Sequence, residues 1–214
     1  GGQNVITVKV DNSTQPNARW YTGSGIYRNV WMTRVNPLHV DLWGTYITTP
    51  NVSKDEAEIV INTTIRNKEN TQDAELSTSL LDAQGQTVAT LEIPFTVGTD
   101  TTVTLKQIIE VDNPHLWSID DPYLYTVLTQ IKKEGQLIDE YTTNLGIRYF
   151  NFDADKGFFL NGESVKILGV CQHQDLGALG SIVNERGIER QLEILKQMGC
   201  NGIRTSHNPP SPEL

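Results

Sequence analysis

Seven short segments of alternating apolar and polar residues follow one another between Val40 and Leu145, and no other feature restricts the fold as strongly. They fall at residues 40–48, 58–66, 74–81, 87–93, 101–110, 123–132 and 137–145. In the second, Ile59, Ile61 and Ile65 share one face, because successive side chains of a strand point to opposite sides. A strand with one apolar face must bury it against another layer, so the pattern predicts a mainly β, two-sheet sandwich. Asp82-Ala83-Gln84-Gly85 and Lys133-Glu134-Gly135-Gln136 supply glycine where a hairpin needs positive φ.

The rhythm differs at both ends. Residues 4–10 are β-branched and strand-like, residues 11–17 are polar and loop-like, and residues 26–35 carry a second apolar stretch. Two strands and a loop bury little, so residues 1–36 are expected to be the tail of a β domain that begins upstream. After Tyr149, Asn161-Gly162 is a hairpin signal and residues 165–170 read as a short strand. Ile188, Leu192, Leu195 and Met198 then recur at helical spacing, with Asn184 placed to cap the start and Gly199 to end the helix. Residues 201–206 read as another strand. Strand, helix, strand predicts a parallel pair joined by a right-handed crossover. The expected divisions are therefore 1–36, 37–148 and 149–214.

Composition removes several classes of function. Lys plus Arg is 17 and Asp plus Glu is 26, a net charge of -9 with no basic stripe, which argues against a nucleic-acid partner. No apolar run is long enough to span a membrane, and the N-terminus lacks the basic-then-apolar order of an export signal. The compartment stays unassigned between the periplasm and cytoplasm of a bacterium. Two cysteines, Cys171 and Cys200, are too few for a disulfide scaffold or a four-thiolate zinc site. Trp117 and Tyr123 read as packing residues of the sandwich, and Trp20, Tyr21 and Tyr27 as packing or sugar-stacking rings.

Chemistry concentrates near the C-terminal end. His173 follows the first parallel strand and His207 the second, so both belong on one edge of the sheet, where α/β folds build their sites. Gln172, Gln174, Asp175, Arg204, Ser206 and Asn208 surround them with hydrogen-bonding groups suited to a sugar-hydroxyl pocket. Pattern alone leaves three readings open: loop histidines with a structural Arg204, a substrate pocket, and a metal site from His173, Asp175 and His207. The metal reading is the weakest, since the spacing fits no tight zinc arrangement.

The run Asn201-Gly202-Ile203-Arg204-Thr205-Ser206-His207-Asn208-Pro209-Pro210 resembles the signature of glycoside hydrolase family 2, the β-galactosidase, β-glucuronidase and β-mannosidase group. Further stretches match in the family's order: Arg19 to Arg28, Leu116 to Tyr125, Gly146-Ile147-Arg148, Phe159 to Glu163 and Gly169 to Asp175. The resemblance implies an immunoglobulin-like β-sandwich flanked by the end of a jelly-roll sugar-binding domain and the first β-α-β part of a (β/α)8 catalytic barrel. It implies a retaining hydrolase of terminal β-glycosides, β-galactosides first among them, with β-linked oligosaccharide or glycoside as substrate and a homo-oligomer allowed. His173, His207, Asp175 and Asn208 become substrate-binding residues and Arg204 the residue that orients the nucleophilic carboxylate; Asp11 and Asn12 are weaker candidates for reaching the sugar.

Retaining hydrolysis needs two carboxylates about 5 to 5.5 Å apart. In the family both are glutamates expected beyond Leu214, so the chain by itself is expected to be inactive. Glu185, Glu189 and Glu193 lie on the predicted helix and Glu213 lies past the second strand, so none is assigned a catalytic role. No cofactor is expected in this chain, although the resemblance allows a divalent cation in the full-length enzyme. The rival readings are a non-catalytic carbohydrate-binding or spacer sandwich and an adhesion module, the latter requiring an exposed apolar patch or open edge strand.

Overall fold

The structure, a computed structural model, describes every residue except Gly1, Gln3, Asn4, Asn12, 15–24, Tyr27, Gln174 and Asn208. Its residues divide into two compact units: Thr33–Lys166, and Gly1–Met32 together with Ile167–Leu214. The chain is mainly β.

In the unit Thr33–Lys166, all seven strands expected between residues 40 and 145 are present, most of them longer than the alternation indicates. They are β1 (Leu38–Val52), β2 (Glu56–Asn67), β3 (Gln72–Leu81), β4 (Thr87–Val97), β5 (Thr102–Asp112), β6 (Tyr125–Lys133) and β7 (Gln136–Leu145). One antiparallel sheet has the order β1-β2-β5 and the other β4-β3-β6-β7. Ile59, Ile61 and Ile65 of β2 are fully buried on one face, as the alternation predicts. Ile59, Ile61 and Ile109 of the first sheet pack with Leu80, Val127 and Tyr125 of the second. Leu38, Val40 and Ile65 pack likewise with Leu76, Phe95 and Ile131. Each such aliphatic side chain contributes about 1.5–3 kcal/mol by leaving water, so the shared interior holds the two sheets face to face.

Two buried polar groups are satisfied within this unit, one at a turn and one between the sheets. Asn67 is fully buried; its amide donates to the carbonyls of Glu69, Asn70 and Gly98, and its oxygen accepts from Glu69 N and Gln72 Nε2. Thr78 donates to Gln107 Oε1 at 2.6 Å inside the core. Trp117 and Tyr123 are packing residues here. A Cβ at Gly146 would lie 3.1 Å from the Trp117 ring, Arg148 Cζ stands 5.2 Å over that ring, and Tyr123 stacks on His115 at 3.9 Å.

A small antiparallel sheet, order β10-β9-β8, follows: β8 (Phe150–Asp153), β9 (Gly157–Leu160) and β10 (Glu163–Ser164). Asn161 and Gly162 take φ of 52° and 83° at the turn between β9 and β10, where both central residues need the left-handed region.

The other unit contains β11 (Gly169–Gln172), a 3-10 turn (Gly177–Leu179), the helix α1 (Glu185–Gln197) and β12 (Gly202–Thr205). The expected parallel pair is present, but its first strand starts later than residues 165–170. Val165 donates to Phe158 O at 2.9 Å and so extends the β9–β10 hairpin, and pairing with β12 begins only at Gly169. A Cβ at Gly169 would lie 2.9 Å from Gly202 O, so glycine permits the close approach at the start of the ladder. Asn184 caps α1 by accepting from Gly187 N at 2.8 Å, and Gly199 has φ of 87° just past the helix end. Met198, expected on the packed face, is 70% exposed, because two strands cover only part of the helix's apolar stripe.

Neither N-terminal strand is present among the described residues. Residues 5–10 and the described residues of 26–35 form no strand, and Val5, Ile6, Val30 and Trp31 are exposed. β-branched composition favours a strand only where a partner completes the ladder, and no strand pairs with either segment among the described residues. The candidate rings Trp20, Tyr21 and Tyr27 lie outside the described residues.

Candidate active site

The site candidates are positioned by parallel pairing. β11 and β12 align Gly169 with Gly202, Val170 with Ile203, Cys171 with Arg204 and Gln172 with Thr205. Ser206 N then donates to Gln172 O at 2.9 Å, carrying the ladder one step past the strands. Because both strands run the same way, the next residues emerge on the same rim. His173 and His207 meet there with ring centroids 5.6 Å apart and planes tilted by 52°. His207 holds φ of 69°, an uncommon backbone region that histidine enters more readily than most residues.

Arg204 and Cys171 are cross-strand partners, so their side chains leave the same face. Arg204 Nη1 lies 3.7 Å from Cys171 Sγ and donates to Ser206 Oγ at 3.2 Å, while Ser206 itself is buried. The Ser206 hydroxyl and, next, the Arg204 guanidinium hold the exposed Cys171 thiol below its ordinary pKa, since both stabilise the thiolate.

The loop after β11 is tied to α1. Gln172 Nε2 donates to Gln191 Oε1 at 2.8 Å, and Gln191 Nε2 donates to the Asp175 carbonyl at 3.2 Å. A cleft of about 340 Å³ opens here, lined by Cys171, Gln172, His173, Asp175, Gln191 and Leu195 among others. Arg204 and His207 are not among its lining residues. A smaller cavity of about 40 Å³ brings Arg28 alongside Gln172, His173, Asp175 and Pro210.

Of the residues singled out in the sequence, the structure brings His173 and His207 together, sets Asp175 with His173 on the cleft, and places Arg204 against Cys171 and Ser206 on the strand face. Asn208 and Asn12 lie outside the described residues. Asp11 directs its carboxylate to a local turn, accepting from Ser13 N and Ser13 Oγ at 3.0 and 2.6 Å, and lines neither cavity. The hydrogen bonds from Ser13 hold its pKa below the usual carboxylate range. The four glutamates set aside have other partners: Arg186 binds Glu189 and Glu193, Glu213 accepts from Asn29 Nδ2 at 2.9 Å, and Glu185 occupies the first turn of α1. Gln191, Arg28 and Asn29 were not legible as site residues. Gln191 did leave a signal, a polar residue between Ile188 and Leu195 on the apolar stripe of the helix.

Two family profiles match adjoining parts of the chain. Residues 39–148 match the profile described as glycosyl hydrolases family 2, and residues 154–214 the profile described as glycosyl hydrolases family 2, TIM barrel domain. The chain belongs to glycosyl hydrolases family 2. It is 51% identical over 212 residues to β-galactosidase BoGH2A of Bacteroides ovatus, covering 99% of this chain and 25% of that protein. The crystal structure of a family 2 member from Bacteroides cellulosilyticus DSM 14838 superposes with a TM-score of 0.89 at 42% identity, over 96% of this chain and 28% of the other. A calcium-binding mutant of Bacteroides uniformis β-glucuronidase 2, altered at two aspartates, gives 0.76 at 31% identity, over 82% and 22%. The chain thus spans about a quarter of the length of the relatives it matches. Among the described residues no group of three or more His, Cys, Asp or Glu could hold a metal ion, so the residues present do not fit a cation site of their own.

Proposed function

We propose that this chain is part of a retaining glycoside hydrolase acting on terminal β-glycosides, β-galactosides before glucuronides. The observation that carries the reading is the pair of imidazoles held 5.6 Å apart on the rim of two parallel strands, with Arg204 on the adjoining strand face. The preference for galactosides leans on the 51% identity to a protein named β-galactosidase. In this reading residues 1–36 end a jelly-roll domain, 37–148 form an immunoglobulin-like sandwich and 149–214 begin a (β/α)8 barrel.

The chemistry assigned to these residues is binding and orientation. His173, His207, Asp175 and Asn208 hydrogen-bond sugar hydroxyls and fix the ring against the rim. Arg204, always charged and able to fork, orients the carboxylate that attacks the anomeric carbon. That nucleophile and the acid/base that protonates the departing oxygen are both supplied from outside this chain, at the separation of about 5 to 5.5 Å that retention demands. The 214 residues alone bind and position but do not cleave.

The test compares the 214-residue chain with a protein extended through the remaining barrel, on aryl β-galactoside, β-glucuronide and β-mannoside. Hydrolysis is expected only from the extended protein, fastest on the galactoside and with retained anomeric configuration. An extended protein that hydrolyses none of the three, or turnover by the short chain, refutes the reading.

A further inference from the structure

The loop that carries His207 is poor in backbone donors. Pro209, Pro210 and Pro212 remove three backbone donors within four residues, so no strand ladder can form across it. His207 enters the loop at φ of 69°, a conformation that persists only where its surroundings fix it. The restraint comes from the other end of the sequence. Arg28 Nη2 donates to Pro209 O at 2.5 Å and Nη1 to Pro210 O at 3.2 Å, a fork across two consecutive carbonyls from a residue 181 positions away. Asn29 adds a second tie through Glu213 Oε1 at 2.9 Å. Arg28 also lines the small cavity beside His173 and Asp175, so one guanidinium borders both rim loops.

We propose that Arg28 is a positioning residue for the sugar-binding rim, acting through the Pro209 and Pro210 carbonyls to set the His207 imidazole against His173. Its consequence for catalysis rests on the glycosidase reading above, whereas the positioning itself does not. A guanidinium suits the task because its donors are planar and fixed in direction; an ammonium offers one charge centre and no fork.

The substitutions are Arg28→Met, which removes charge and donors, and Arg28→Lys, which keeps the charge and removes the fork. In the 214-residue chain, NMR is expected to show loss of the His173–His207 ring contact and faster exchange of the Leu214 amide, now bonded to Ser211 O at 3.1 Å. Both variants should show it, with the melting of the unit Thr33–Lys166 unchanged. Should Arg28→Met not fold, Arg28→Lys decides. In the extended enzyme the same substitutions should lower kcat/KM about 100-fold, the cost of misplacing a binding group by about 1 Å. KM should rise while kcat falls, since a mere loss of folded enzyme lowers apparent kcat and leaves KM untouched. An unchanged ring contact in both variants, or unmoved kinetics in an active enzyme, overturns the proposal. An extended protein without any glycosidase activity refutes the earlier reading instead and leaves the NMR result to judge the positioning.

Discussion

Gln191→Leu tests whether α1 holds the loop that bears His173 and Asp175. Leucine matches glutamine in helix propensity and keeps the apolar stem, so the helix itself is little disturbed. The substitution removes two hydrogen bonds, Gln172 Nε2 to Gln191 at 2.8 Å and Gln191 Nε2 to Asp175 O at 3.2 Å. Gln172 is only half-buried, so its amide can partly rehydrate and each loss costs the net value of a hydrogen bond, about 1 kcal/mol, rather than the full desolvation penalty. Two bonds give about 2 kcal/mol, which raises the local opening constant about 30-fold at about 1.4 kcal/mol per decade. Hydrogen exchange reads that constant at the Leu176 amide, bonded to Gly180 O at 2.8 Å, and at the Ser206 amide, bonded to Gln172 O at 2.9 Å. Buried β6 amides around Thr129 serve as the reference. Acceleration of less than about 3-fold at both loop amides would place the two bonds below the net range and refute the tie, as would equal acceleration of the β6 amides, which means global unfolding.

Two further outcomes follow from the same packing and electrostatics. Cys171 should alkylate ahead of Cys200 at neutral pH, with a pH–rate midpoint below the ordinary thiol value, because the thiolate stabilised by Ser206 and Arg204 persists as pH falls toward the lowered pKa. Ser206→Ala should shift that midpoint upward by peptide-resolved mass spectrometry, and equal labelling of both cysteines would contradict the assignment. Asn67→Ala strips five hydrogen bonds from a fully buried position and should destabilise the sandwich by about 3 kcal/mol, lowering the urea midpoint by about 1.5 M at a slope of about 2 kcal/mol/M. A midpoint shift below about 0.3 M would mean that water replaces those bonds without loss.

Legibility in the sequence tracked how local the cause was. The sandwich strands were readable because a period of two records which side of a strand is buried, and Ile59, Ile61 and Ile65 are buried together as that period requires. Both ends of α1 were readable because Asn184 at the start and Gly199 past the end act within a few residues of themselves. Residues 165–170 failed as one strand because two partners compete for them: Phe158 O takes Val165, and β12 takes Gly169 onward. Apolar composition cannot say where one partner yields to another. Residues 5–10 form no strand for the related reason that strand propensity carries no partner with it. The meeting of His173 and His207 was legible from strand, helix, strand order alone, whereas Arg28 on the Pro209 and Pro210 carbonyls was not, since nothing near residue 28 records a need 181 positions away.

Parallel pairing explains why the rim exists at all, and it also sets what the rim lacks. Two strands running the same way deliver His173 and His207 to one edge without either loop specifying it, which an antiparallel hairpin such as β6–β7 cannot do, because consecutive strand ends there lie on opposite edges. The ladder stops, however, at Ser206 N, and beyond it the backbone bonds are local turns, such as Leu176 N to Gly180 O and Leu214 N to Ser211 O, so side chains tie each loop to its neighbours. Each imidazole consequently has its own external restraint: Gln191 from the helix for the loop of His173, and Arg28 with Asn29 from the N-terminal segment for the loop of His207. The two restraints meet at one cavity, since Arg28 and Gln191 both line it beside His173, so their effects on rim geometry should couple rather than simply add when both are removed. A rim built this way keeps its strands fixed by backbone pairing while side chains from the helix and the N-terminal segment tie the loop of each imidazole in place.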